Sequence, residues 1–475
     1  NNAATAEQGK YYGFYFQDDF RISRKLTVNL GVRYEWEGDY TERYNRLNRG
    51  YDFTTASSLE QQAKTNYAAN PIAEGPASSF NVKGGLLFTG VNGQPRGLTN
   101  LDRNNVSPRV GFAFSLTPKT IIRGGYGLFY GATTLLSESR LGFSVSTPWV
   151  VSNDGSLTPA TTLSNPFPNG LLKATGASLG LNTLVGQGIS FTDPDRKQPF
   201  THQYSLTIQR ELPGGVLLDV AYAGTLGRDL AVNQQINAIP LQFVRAAQQT
   251  FASTGRNILN DSVQNPFFGL IASGPLAART ITRGQLLRPY PHFTGITALN
   301  RSIGRSHYDA FQLKASRRFA NGFRLLVSYN LAKQLDQIRF LNDVDTQLTK
   351  ELSEFDIPQR LVVSSSYELP FGKGRRFLGN ANGVANKIVE GWQFNVIWQA
   401  NSGVPIDISG AESTGQSAEI PNSERSVDRW FNTSVFRQRQ TLELVGLARL
   451  PDVRSAGRNN FDLSLFKTTS LTEKL

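Results

Sequence analysis

The sequence predicts an all-β fold: an antiparallel transmembrane β-barrel of outer-membrane type, with long extracellular loops and incomplete at both ends. Three observations predict it. Strict two-residue alternation of apolar and polar residues recurs in paired segments, each about a dozen residues long against the usual ~5–6 of a strand. The paired segments are joined by turns of about three residues, whereas the pairs are separated by long polar stretches, and that asymmetry belongs to outer-membrane barrels. Charges and tyrosines on the apolar faces recur at matching distances from the short turns.

The first hairpin covers residues 11–37. Tyr12, Phe14, Phe16, Asp18, Phe20 and Ile22 form one face, and Tyr11, Gly13, Tyr15, Gln17, Asp19 and Arg21 the other. After Ser23-Arg24-Lys25, Leu26, Val28, Leu30, Val32, Tyr34 and Trp36 alternate with Thr27, Asn29, Gly31, Arg33, Glu35 and Glu37. The second hairpin, 106–130, turns at Thr117-Pro118-Lys119, and the third, 203–226, at Pro213-Gly214-Gly215. The fourth, 309–332, turns at Ala320-Asn321-Gly322. Single strands follow in 360–401 and 461–475, the former interrupted by a connection at 370–390. The long loops are 38–105, 131–202, 227–308, 333–359 and 410–460, all in a single barrel domain over 1–475 with no plug domain.

Depth markers agree with a membrane wall. The apolar face carries Asp18, Arg210 and Arg317 shortly before three of the turns. A charge costs about 2–4 kcal/mol at mid-bilayer but only about 0–1 near an interface. Tyr126, Tyr222 and Tyr329 sit seven positions past a turn and Tyr34 nine, as an aromatic girdle requires. A soluble β-sandwich also alternates, but it does not predict strands of this length or charges at one depth.

Composition narrows the class further. Aromatics at 11% and charged residues at 18% exclude a disordered chain. Zero Cys excludes a disulfide scaffold. No run of about 18 apolar residues exists, so helical membrane spans are excluded. Net charge is +12 without a run of five Lys/Arg, which speaks against nucleic acid and leaves anionic lipid or solute.

Catalytic patterns are missing. His202, His292 and His307 lie far apart in sequence, in or beside loops, without metal-ligand spacing. Gly372-Lys373-Gly374-Arg375-Arg376 lacks the spacing of a phosphate loop and reads as a basic connection. Asn342, Asp343 and Asp345 lack the twelve-residue calcium pattern and read as a solvated loop. No enzyme activity, metal or cofactor is assigned.

A family resemblance rests on particular stretches. They are Phe16-Gln17-Asp18-Asp19-Phe20-Arg21, Leu26 to Glu35, Ser107-Pro108-Arg109-Val110-Gly111-Phe112, and Ile122 to Gly131. Further ones are Gln209 to Gly214, Tyr367 to Arg376, Gly391-Trp392-Gln393 and Asn460 to Lys467. Together they resemble the barrel portion of TonB-dependent receptors, in the Oar-like branch with a carboxypeptidase-regulatory-like domain. That resemblance implies a barrel of about 22 strands, a plug and energy-coupled uptake. This sequence shows eleven strands and neither plug nor TonB-contacting segment, so more chain or another partner must pair the two strand edges.

The expected function is transport of a large solute across the bacterial outer membrane. The lumen-facing candidates for solute contact are Arg33, Glu35, Arg109, Arg123, Lys314 and Arg324, and the girdle is Tyr34, Tyr126, Tyr222 and Tyr329. Expected partners are outer-membrane lipid, lipopolysaccharide at the rim, and TonB if a plug lies upstream. The rival reading is a self-assembling tube, filament or surface layer whose open edges pair with other copies, in an extracellular assembly. A soluble β-rich binder is the third.

Overall fold

The computed structural model describes residues 4–133, 138–320, 322–408 and 410–469. Eleven long strands form a wall: β1 (Tyr11–Arg21), β2 (Leu26–Glu37), β3 (Val106–Thr117), β4 (Thr120–Tyr130), β5 (Phe200–Leu212), β6 (Val216–Gln235), β7 (Gly295–Ala320), β8 (Phe323–Gln337), β9 (Gln359–Glu368), β10 (Trp392–Asn401) and β11 (Arg458–Lys467). Each pairs antiparallel with its neighbour in sequence, so the wall is a simple meander. Among the described residues β1 and β11 pair on one side only, and the sheet is open.

Alternation becomes two chemically distinct faces because directly paired residues point the same way. Leu206, Tyr222, Phe311 and Leu331 lie side by side across four strands on the apolar face. Phe14, Phe16, Leu463 and Leu465 of the same face are 66%, 69%, 63% and 55% exposed. Such a surface is stable only against another apolar phase. The fully buried side chains Phe267, Phe293, Leu47 and Leu86 lie instead in the segments between hairpins.

Register also gives the strand tilt. Tyr34 pairs with Val106, four residues loopward of Val110, the partner of Tyr126. Tyr126 pairs with Tyr204, two residues loopward of Leu206, the partner of Tyr222. Tyr222 pairs with Phe311, two residues loopward of Leu313, the partner of Tyr329. That stagger over six strand boundaries, at ~3.3 Å per residue and ~4.8 Å between strands, is a tilt of about 40°. The short turns step in the same direction, so the four tyrosines lie on a diagonal parallel to the line of turns.

Several expectations need correction. β6 and β7 run to Gln235 and start at Gly295, well beyond the predicted hairpin ends at 226 and 309. Their loopward parts pair through irregular register at Gly227/Leu230 and Val232/Gln234. The second turn is tighter than predicted, with Thr117 and Thr120 already paired. Asn321 of the fourth turn and residues 470–475 of the last predicted strand lie outside the described residues.

The long loops hold structure of their own. Helix α1 (Glu60–Ala69) packs Ala63 and Tyr67 against Phe80, Phe267 and Leu286, together with Ala247 of helix α2 (Leu241–Thr254). A second cluster joins Tyr51, Leu86, Phe88, Ile189, Phe191 and Phe293. A third, within 404–455, holds Ile408, Val435, Leu450 and Val453. The loops therefore form a packed cap at one end of the wall.

Candidate functional site

The polar face of the wall folds into a groove of about 700 Å³ across β4 to β9. Its side chains come from consecutive strands at one register. Arg123 lies opposite Thr207, Asp219 opposite Lys314, Lys314 opposite Ser328, and Asn330 opposite Arg360. Gln209 Nε2 donates to Asp219 Oδ1 at 2.7 Å, and Asn330 Nδ2 donates to Tyr308 Oη at 3.4 Å. Arg123, Lys314 and Arg360 form no ion pair among the described residues, so three cations line the groove beside one carboxylate. Such a surface offers several donors and a positive field to a polar or anionic group.

The structure brings together only two of the six predicted contact residues, Arg123 and Lys314. Arg33 and Glu35 pair with one another, and Arg33 Nη2 also donates to Tyr11 Oη at 2.7 Å. The Arg109 guanidinium stands 4.6 Å from the Phe129 ring centroid. Arg324 lies near the turn end, opposite Ser366. Asp219, Asn330 and Arg360 complete the groove. Arg360 falls inside the segment 360–401 that alternation marks as strand, at the parity of the polar face, but was not among the six candidates.

On the opposite face Tyr34 Oη donates to the Arg103 carbonyl at 2.8 Å, and Tyr126 Oη lies 2.8 Å from His202 Nδ1. Tyr222 and Tyr204 both donate to Asp309 Oδ1, at 2.5 and 3.1 Å. His202 and His307 are closer than their sequence separation implies. Both pair with Leu226, so they share one row of the apolar face.

In the cap, a second cleft of about 400 Å³ is lined by Tyr67, Phe80, Phe243 and Tyr290 with Glu74, Lys83 and Arg288. Burial pushes the Arg288 guanidinium and the Tyr290 phenol towards their neutral forms. Asn342, expected in a solvated loop, accepts from Val445 N at 2.7 Å and donates to its carbonyl at 3.1 Å, stapling two loops. Lys373 of the basic connection donates its backbone N–H to Asn386 Oδ1 at 2.7 Å. No group of three or more metal-ligating side chains occurs among the described residues.

The family comparison agrees with the architecture. Residues 1–475 match the family described as "Outer membrane beta barrel domain". No curated protein sequence matches. Among solved structures, the chain is similar to the outer membrane transporter YddB from Escherichia coli, at 10% identity and a TM-score of 0.40, covering 99% of this chain and 49% of that one. It is similar to the copper transporter OprC at 10% identity and a TM-score of 0.39, covering 98% and 40%. The alcaligin outer membrane receptor FauA from Bordetella pertussis gives 11% and 0.33, covering 84% and 39%. The chain spans less than half the length of each.

Proposed function

Because the chain belongs to the outer membrane β-barrel domain family and so to the bacterial outer membrane, we propose that its wall carries a large polar solute across that membrane. The observation that supports this most is the pairing of faces: exposed apolar side chains on one, and on the other a groove with Arg123, Lys314 and Arg360. Lipid takes the first and water or solute the second. Lys314 and Arg123 make the first contacts with anionic groups of the solute, and the cap with its aromatic cleft screens entry. The tyrosines at 34, 126, 222 and 329 form the girdle. Wall and cap form one domain, and further strands pair the open edges of β1 and β11. The motif stretches from Phe16 to Lys467 support the Oar-like branch of TonB-dependent receptors, and with it coupling to TonB through a plug.

The test is uptake in cells. A deletion strain should lose energy-dependent accumulation of at least one solute too large for general porins. The wild-type gene should restore it, and R123E/K314E should not, at equal outer-membrane levels. An unchanged solute profile on deletion would overturn the transport reading.

A further inference from the structure

We propose that an outward-facing cleft at the loop end of β6, β7 and β8 binds the phosphate of a glycolipid in the outer leaflet. The cleft, about 370 Å³, is lined by Arg228, Arg305, His307 and Lys350 above Tyr204 and Leu226. Its placement follows from register. Tyr126, Tyr204, Gly224, Asp309 and Lys333 form one row of the apolar face, and Leu128, His202, Leu226, His307 and Leu335 form the next. Below them lie Leu206, Phe311 and Leu331, which are 49%, 42% and 46% exposed. The face thus grades from bare hydrocarbon-facing side chains, through tyrosines, to cations. Arg305 stands six residues loopward of Phe311 on β7. At ~3.3 Å per residue and a tilt of about 40° this is roughly 15 Å of height, the passage from acyl chains to headgroups.

The cations are available. The side chains of Arg305 and Lys350 make no hydrogen bond or ion pair among the described residues, and both residues are exposed. Among the described residues the Arg228 side chain donates only to the Gly227 carbonyl, at 2.8 Å. The nearby carboxylate Asp309 is already bound by Tyr204, Tyr222 and His307. Asp336, which also borders the cleft, is buried and of opposite parity on β8. Several cations beside an apolar wall fit an anion attached to acyl chains better than a free anion. The cleft faces away from the polar groove, so it does not rest on the transport reading.

Native mass spectrometry of the full-length protein in detergent tests this, titrated with bisphosphorylated lipid A and with its dephosphorylated form. R305Q/K350Q should weaken binding of the bisphosphorylated lipid at least tenfold, and R305K/K350R should retain it. R375Q/R376Q, on the turn side, should bind as wild type. The dephosphorylated lipid should bind wild type no better than it binds R305Q/K350Q. Heat-modifiable gel mobility verifies that each variant is folded, and the single variant R305Q serves where the double does not fold. Equal binding by the Gln variants, or no effect of removing the phosphates, overturns the proposal. Displacement of the lipid by millimolar inorganic phosphate would mark a free-anion site and overturn it as well.

Discussion

His292 is fully buried, and its Nε2 lies 3.3 Å from the carbonyl oxygen of Gly84, 208 residues earlier in the chain. The imidazole thereby ties the loop after β2 to the start of β7. Its other nitrogen, Nδ1, is buried without a partner among the described residues. An imidazolium would bring a second N–H into that apolar surrounding, against the Phe293 ring 4.4 Å away.

That contact predicts a pH-dependent cap. Burial holds His292 neutral and pushes its pKa from 6.5 down to about 4, partly offset by the Gly84 carbonyl. Its folded-state pKa is depressed, so the unfolded loop takes up a proton first as the pH falls. Stability from this residue is full above ~6.5, is lost progressively down to ~4, and is constant below. The shift corresponds to about 3 kcal/mol. Hydrogen exchange of 82–88 and 290–296 between pH 7 and pH 4 should show that loss, and H292N should abolish its pH dependence. Exchange in the wild type that ignores pH would refute the link.

The two faces of the wall are separable by single thiols. The chain contains no Cys, so each introduced thiol is the only one. Lys314→Cys should react with a charged, membrane-impermeant maleimide, and Leu313→Cys only with a lipid-soluble one. Adjacent residues on one strand point to opposite faces, so the contrast should reach at least tenfold in labelling rate. Equal rates for the two would sink the assignment of faces.

Tyr204 covers a glycine. A Cβ built on Gly224 would stand 2.3 Å from the Tyr204 ring, and the two residues are direct cross-strand partners. Gly224→Ala should therefore swing the ring aside and break the 3.1 Å bond from its hydroxyl to Asp309. A hydrogen bond to a charged group contributes about 1.5–3 kcal/mol, and Tyr204→Phe should lose a similar amount. The double variant should lose less than the sum, because both changes remove the same bond. Thermal unfolding in detergent reads all three, and strict additivity would contradict the coupling.

The wall was legible because its information is local: period two, paired segments and short turns with Gly214 and Gly322 at positive φ. Register carried that pattern into continuous faces. The cap was less legible because alternation ends where β6 and β7 become irregular, near Asp229 with φ 52 and Asn300 with φ 59. One helix there carries a signal in its sequence. Leu241, Val244, Ala247 and Phe251 recur at helical spacing, and Gly255 at φ 69 closes the helix. The groove was half legible. Parity gave Arg123 and Lys314, but only strand order shows that Arg33 and Arg109 lie further round the sheet.

The cap also contains an ion pair whose removal should cost more than its replacement. Arg196 Nη1 lies 2.9 Å from Glu138 Oε1, and both side chains are 3% exposed. Thr192 Oγ1 donates to Glu138 Oε2 at 3.1 Å. Burial pushes the Glu138 carboxyl up even though Arg196 pulls it down, so desolvation outweighs the attraction. Arg196 Nε is itself buried without a partner among the described residues. Arg196→Met alone leaves a buried carboxylate uncompensated and should destabilise the cap by about 3–5 kcal/mol. Glu138→Leu with Arg196→Met removes both charges and should recover most of that loss. Limited proteolysis of the 131–199 loop in intact cells measures the difference. A double variant as labile as Arg196→Met would mean that the pair itself, rather than relief of a lone charge, stabilises this part of the cap.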